Sequence, residues 1–263
     1  MFKKLLLMLF VMIFTIGSPI YAMTSSNIDK LNQKSDEALQ MMKIKRDEDA
    51  LHLLRSFSEE LLAMAGEENA FNSDELKIIT AAYDGALKSL QTTENTYDYK
   101  VNALTKLRLV VDAVSSNHRP LWTELEESMM STFSETKKAV SEKNSQQFHN
   151  ELNALLIQYD LIYYSLQVDV KPETIQTVDA RFQYLDQYRP QIFENVSSQK
   201  ELDELQYEMK AIFDEMKKDE ADPSLWWVII STGSIIISTL SYVGWRKYKG
   251  TKETVRSKNN TKD

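Results

Sequence analysis

Between residues 23 and 224 the chain carries only two glycines, Gly66 and Gly85, and four prolines, Pro120, Pro172, Pro190 and Pro223. A turn-rich β-sandwich or a glycine-cradled doubly wound sheet needs many more positions with special backbone freedom. Helices do not, and the apolar residues recur at helical spacing throughout. Ile28, Leu31, Ala38, Leu39 and Met42 mark a first helix, capped by Ser25-Ser26 and ending near Lys45-Arg46. Ala50, Leu51, Leu54, Phe57, Leu61 and Leu62 mark a second, from Asp47 to just before Gly66.

Asn72-x-x-Glu75 has the form of a capping box and opens a third helix, with Leu76, Ile79, Tyr83, Ala86, Leu87 and Leu90 on its stripe. The fourth, from about Thr96, carries Val101, Leu104, Leu107, Val111 and Val114. Pro120 opens a fifth through Trp122, Leu125, Met129, Phe133 and Val140, and a sixth runs from Phe148 to Leu166. Pro172 fits the first position of a seventh, which Pro190 closes, and Ser198-x-x-Glu201 signals the cap of an eighth. No segment alternates with period two for long enough to form a strand. The expectation is an all-α array of about eight helices in antiparallel hairpins, either a bundle or a short solenoid, because both share this one-dimensional pattern. The first and third hairpins hint at repetition.

Two apolar segments flank this array. Lys3-Lys4, the run Leu5–Ile16 and Ala22 read as a signal peptide over residues 1–22. Leu225 to Trp245 is 21 residues without a charge, bordered by Trp226, Trp227, Tyr242 and Trp245, and predicts a C-terminal transmembrane helix after a short linker from residue 223. Residues 246–263 hold seven bases against Glu253 and Asp263, a net charge of +5 that favours a cytoplasmic tail. The intervening residues, 23–224, carry 22 bases and 37 acids, net −15. The sequence therefore predicts a cell-membrane protein with a single span and an extracytoplasmic helical domain over 23–222. Such an acidic body is a poor nucleic-acid binder, since phosphate neutralisation needs clustered Lys and Arg.

Chemistry is sparse. The chain has no cysteine and only His52, His118 and His149, so thiol chemistry is excluded and imidazole ligands are few. There is no Gly-x-Ser-x-Gly elbow, His-Glu-x-x-His pair or phosphate loop. No metal, cofactor or catalytic residue is expected. Two clusters remain as candidate interaction sites. The turn His118, Arg119 and Trp122 groups imidazole, guanidinium and indole, against the simpler reading of Trp122 as a core anchor. Ser231, Ser234, Ser238 and Ser241 fall on one face of the predicted span and suit helix–helix association with a second copy or a membrane partner, against the simpler reading of a bare anchor in which each hydroxyl bonds its own i−4 carbonyl. Tyr159, Tyr163, Tyr164, Phe182, Tyr184 and Tyr188 could line an aromatic groove, against the more ordinary reading of half-buried tyrosines with hydroxyls at the rim.

The hairpin Ser35-Asp36-Glu37-Ala38-Leu39 to Ala50-Leu51-x-Leu53-Leu54, the Leu121-Trp122 helix start, the Tyr159-x-x-Ile162 segment, the C-terminal apolar stretch and the basic tail resemble the YpjB sporulation proteins of endospore-forming bacilli. The resemblance covers essentially the full length. It implies expression during sporulation and a membrane location, and supplies no catalytic residues. The expected function is a membrane-anchored, non-enzymatic interaction or scaffold protein of sporulation or the cell envelope, with a protein partner or self-association. The alternative is an envelope hydrolase with an unrecognised carboxylate site.

Overall fold

The computed structural model describes residues 22–67, 70–116 and 119–218, together with 234 and 237. The chain divides into a unit through Met216 and a second from Lys217 to Asp263. Every regular element of the first unit among its described residues is helical. Its elements are α1 (Ala22–Lys43), α2 (Asp47–Ala65), α3 (Ser73–Gln91), α4 (Tyr97–Ser115), a 3-10 turn (Leu121–Leu125), α5 (Glu126–Ser141), α6 (Ser145–Asp169), α7 (Pro172–Gln187), α8 (Arg189–Glu194) and α9 (Val196–Lys218).

Several helix starts follow directly from local chemistry. The Asn72 side chain accepts from the amides of Asp74 and Glu75 at 2.9 and 2.8 Å, while Glu75 accepts from the Asn72 amide at 2.8 Å. This reciprocal pairing satisfies three donors that α3 leaves unmade. Thr96 caps α4 through the Tyr99 amide, Asn144 caps α6 through the Gln147 amide, and Pro172 opens α7.

Other expectations need correction. Nine α-helices are seen among the described residues, not eight, because Pro190 sits near the start of the short α8 instead of closing the chain's turn. Helix α1 already runs through Ser25-Ser26, and α9 starts at Val196, ahead of Ser198, so neither serine position is a cap. The helix after Pro120 begins as a 3-10 turn. The C-terminal transmembrane helix is not supported: among the described residues no helix is long and apolar enough to cross a membrane. The longest, α6 and α9, have 25 and 23 residues but carry carboxylates and amides along their length. Residues 225–245 lie outside the described residues except Ser234 and Ile237, both helical and exposed, and the leader 1–22 lies outside them except for Ala22.

The helices bury two adjoining cores. Leu31, Ala38, Met42, Leu54, Phe57, Ile79, Ala86, Leu104, Leu107 and Val110 form the first, between α1, α2, α3 and α4. Trp122, Phe133, Phe148, Leu155, Ile162, Val178, Phe182, Leu205 and Phe213 form the second, between the 3-10 turn and α5, α6, α7 and α9. Short connections make successive helices antiparallel, so each core belongs to a four-helix bundle. Helix α4 serves both: Leu104, Leu107, Val110 and Val111 face the first core, and Leu109 and Ala113 the second.

The bundles begin with the same hairpin. Lys45 and Lys143 both have left-handed backbones, φ 60° and 56°. In each case the lysine amide bonds the carbonyl three residues back, Met42 or Val140, and the next amide bonds the carbonyl five back, Met41 or Ala139. These are two copies of one helix-ending motif, built on lysine where glycine is usual. Around them burial recurs in register: Ala38, Met42, Ala50, Leu54, Phe57, Leu61 and Met64 match Thr136, Val140, Phe148, Leu152, Leu155, Tyr159 and Ile162. The repetition hinted at by the first and third hairpins is therefore a duplicated hairpin geometry, not a solenoid period.

Leu62, placed on the core stripe by its spacing, is 71% exposed, whereas Phe133 is fully buried. Phe133→Ala should destabilise the protein by about 3–5 kcal/mol, and Leu62→Ala by no more than about 0.5 kcal/mol. Chemical denaturation monitored by circular dichroism measures both.

Candidate functional site

The strongest polar cluster in the described residues lies where the two bundles meet. Trp122 is fully buried, and its indole N–H donates to Asp169 Oδ2 at 2.7 Å, from the 3-10 turn to the end of α6. Its ring packs on Phe213 with centroids 5.3 Å apart. Asp112 of α4 accepts from the Leu121 amide at 2.7 Å, fixing the start of the turn. Arg108, one helical turn earlier, donates to Asn32 at 2.7 Å and Asp36 at 3.3 Å, both on α1, and lies 3.6 Å from Asp112. Asn32 in turn donates to Ser115 at 2.7 Å.

Burial pushes the Asp169 carboxyl up to about 6; the Trp122 hydrogen bond works against this and the nearby Asp112 charge adds to it. This pair of carboxylates is the nearest thing to an acid–base site. Its geometry is that of a structural clasp, since each carboxylate is engaged by a backbone or indole donor.

The turn proposed from sequence is divided by the fold. Trp122 points into the core, while Arg119 donates to Thr123 Oγ1 at 2.8 Å and pairs with Glu124 at 3.4 Å. His118 lies outside the described residues, as do Ser231, Ser238 and Ser241; Ser234 is helical and exposed. No group of three or more metal-ligating side chains is assembled among the described residues.

The aromatic residues sort into different places. Tyr159 of α6 stacks on Phe182 of α7 at 3.9 Å, with Tyr163 edge-on to it at 5.8 Å. Tyr164 turns toward the first core, and Tyr184 packs on Tyr188 at 4.8 Å. The first three line a surface groove between α6 and α7. It has two lobes of about 300 and 360 Å³ that share Tyr163 and Asp179, with Asp160, Gln183 and Asp186 on the rim of one and Gln167 and Gln176 on the other. Burial above all, and then the Asp179 carboxylate, raise the Tyr159 pKa, so the phenol stays protonated.

On the other flank of α7 lies a second groove of about 820 Å³, lined by Glu173, Gln176, Thr177, Arg181, Tyr184 and Glu201. Arg181 is clasped by three carboxylates of α9, Glu201 at 2.5 Å, Glu204 at 2.8 Å and Glu208 at 3.1 Å. Glu201, Glu204 and Glu208 recur every three or four residues, so they form one face of α9. That spacing was readable in the sequence; that Arg181 would meet it required the tertiary fold.

Two four-helix bundles with carboxylate-bordered grooves flanking α7 define an all-α protein. The chain belongs to the family of the sporulation protein YpjB (SpoYpjB), whose model matches residues 28–257. It is 33% identical over 258 residues to "Uncharacterized protein YpjB" of Bacillus subtilis (strain 168), covering 97% of this chain and 98% of that protein. No solved structure matches.

In the folded chain Asp169 keeps its proton to about pH 6, whereas an unfolded aspartate releases it near 4. The folded state therefore binds more protons in that interval, and stability falls as pH rises from about 4 to 6. Asp169→Asn retains an acceptor for Trp122 and removes this titration. Relative to the parent, the variant should gain up to about 2–3 kcal/mol between those pH values, a trend measured by urea unfolding at pH 4, 5, 6 and 7.

Proposed function

We propose that the protein is a non-enzymatic, membrane-anchored interaction protein acting in sporulation, whose acidic helical body faces the extracytoplasmic side and binds a protein or an envelope component. The observation that carries this reading is the pair of open grooves along α7, both bordered by carboxylates. The charge partition supports the orientation, with −15 over residues 23–224 and +5 over 246–263. The same partition argues against a nucleic-acid partner.

The hydrolase reading draws on Asp112 and the raised Asp169. Its weakness is geometric, because Asp169 is tied to a fully buried tryptophan and the grooves along α7 are lined by other residues. A reacting carboxylate must reach a substrate atom within hydrogen-bonding distance.

Protease added to intact, wall-stripped sporulating cells should digest residues 23–224 and spare the tail; a cut tail with a protected body overturns the orientation. A photocrosslinker replacing Gln183, at the groove rim, should form a discrete adduct during sporulation, while one replacing Glu94, on the α3–α4 turn, should not. Release of soluble fragments from purified cell-wall glycan, abolished by Asp169→Asn, would establish the hydrolase instead.

A further inference from the structure

We infer that the groove between α6 and α7 is a binding site for a lysine- or arginine-bearing segment of a partner protein, with the cation seated between the Asp179 carboxylate and the Tyr159 hydroxyl. The inference rests on the interaction reading above and names the chemistry of its partner.

The charged side chains that line the groove are all acidic. Its two lobes are lined by three aspartates and by no lysine or arginine. Two of these aspartates are engaged from outside: Asp160 by Lys106 at 2.5 Å and Asp186 by Arg189 at 2.5 Å. Asp179, the one shared by both lobes, accepts a 2.8 Å hydrogen bond from Gln183 and has no ion-pair partner among the described residues. A carboxylate at the junction of two lobes, left without a cation, is the point of strongest attraction for one.

The second observation is independent of the charges. Tyr159 is 6% exposed, lines the groove, and its hydroxyl has no hydrogen bond of normal geometry although Asp179 lies beside it. A buried hydroxyl short of a well-formed hydrogen bond is rare, because its desolvation is then poorly compensated. The phenol is held in the protonated form, so its oxygen offers a lone pair to an incoming N–H. An ammonium or guanidinium group at this point bonds both oxygens at once.

The walls suit the rest of such a side chain. Tyr163 presents its ring at the shared boundary of the lobes, and Leu156, Phe182, Pro172 and Ile175 supply apolar contact for the alkyl stem. Aromatic rings beside carboxylates also occur where sugars bind. A neutral glycan leaves the Asp179 charge uncompensated, whereas a cation neutralises it, and the surrounding body at −15 draws cations toward the groove.

The test is fluorescence anisotropy of a fluorescein-labelled hexa-arginine peptide titrated with the full chain at physiological ionic strength. Asp179→Asn and Tyr163→Ala should each weaken binding by about fivefold. Glu94→Gln, which removes an equal charge from an exposed turn, should change it less than about twofold. Asp179→Glu, which preserves the charge, should retain binding, and circular dichroism melts check that every variant is folded. Equal effects of Asp179→Asn and Glu94→Gln would overturn the groove assignment and leave the interaction reading intact. Binding of chitotetraose with the same dependence on Asp179 would overturn the cationic partner in favour of a glycan. Glycan cleavage abolished by Asp169→Asn would overturn the interaction reading without touching the groove.

Discussion

Helix α4 is buried on two faces, and the rest of the fold is arranged around that fact. Leu104, Leu107, Val110 and Val111 complete one core, while Leu109 and Ala113 contribute to the other. A helix offers about 100° per residue, so two apolar stripes leave only a narrow polar strip between them. Arg108, Asp112 and Ser115 lie on that strip and are carried into the seam between the bundles. Partly buried charges must find partners or lose stability. Here they find Asn32 and Asp36 on α1 and the Leu121 amide at the start of the 3-10 turn. That amide bond aims Trp122 at Asp169, which ties the end of α6 to the same seam. The packing of one helix thus fixes the entry to the second bundle.

Local signals gave the helix starts that depend on local chemistry alone. The Asn72–Glu75 box and Pro172 act within four residues, and their outcomes are visible in the chain itself. Ser25-Ser26 and Ser198-x-x-Glu201 have the same appearance, yet both lie inside longer helices. Serine is tolerated within a helix, and the pattern alone does not choose between the two roles. The short α8 leaves no sequence signal, because six residues with one buried isoleucine, Ile192, make no periodic stripe. Leu62 shows the limit of spacing arguments: it lies one residue after the buried Leu61 and on the far side of α2. Of the candidate aromatics, the i,i+4 pair Tyr159 and Tyr163 was legible as neighbours on one helix. Their meeting with Phe182 and Asp179 depends on how α7 folds back after Val170 and Lys171.

Membership of the sporulation protein YpjB family gives the setting, and the geometry gives a chemical character to the face around α7. Of the two grooves, the larger already holds a cation in Arg181, which three glutamates surround. The smaller has an aromatic floor and a carboxylate that no cation meets among the described residues. The α7–α9 clasp is thus internally neutralised in part, and it braces the helix whose opposite flank remains open. Rigid support beneath an open site limits the ordering cost of binding.

The twin hairpin turns have a consequence for how far this chain sits from its own stability ceiling. A lysine in left-handed conformation costs roughly 1 kcal/mol relative to glycine, and both Lys45 and Lys143 sit there. Each turn is closed by the same pair of backbone bonds, so the geometry persists in spite of the residue that occupies it. The chain keeps a long, charged, solvent-facing side chain at the tip of both hairpins. The slack is distributed symmetrically, one portion per bundle, at the two places where the polypeptide reverses direction most tightly.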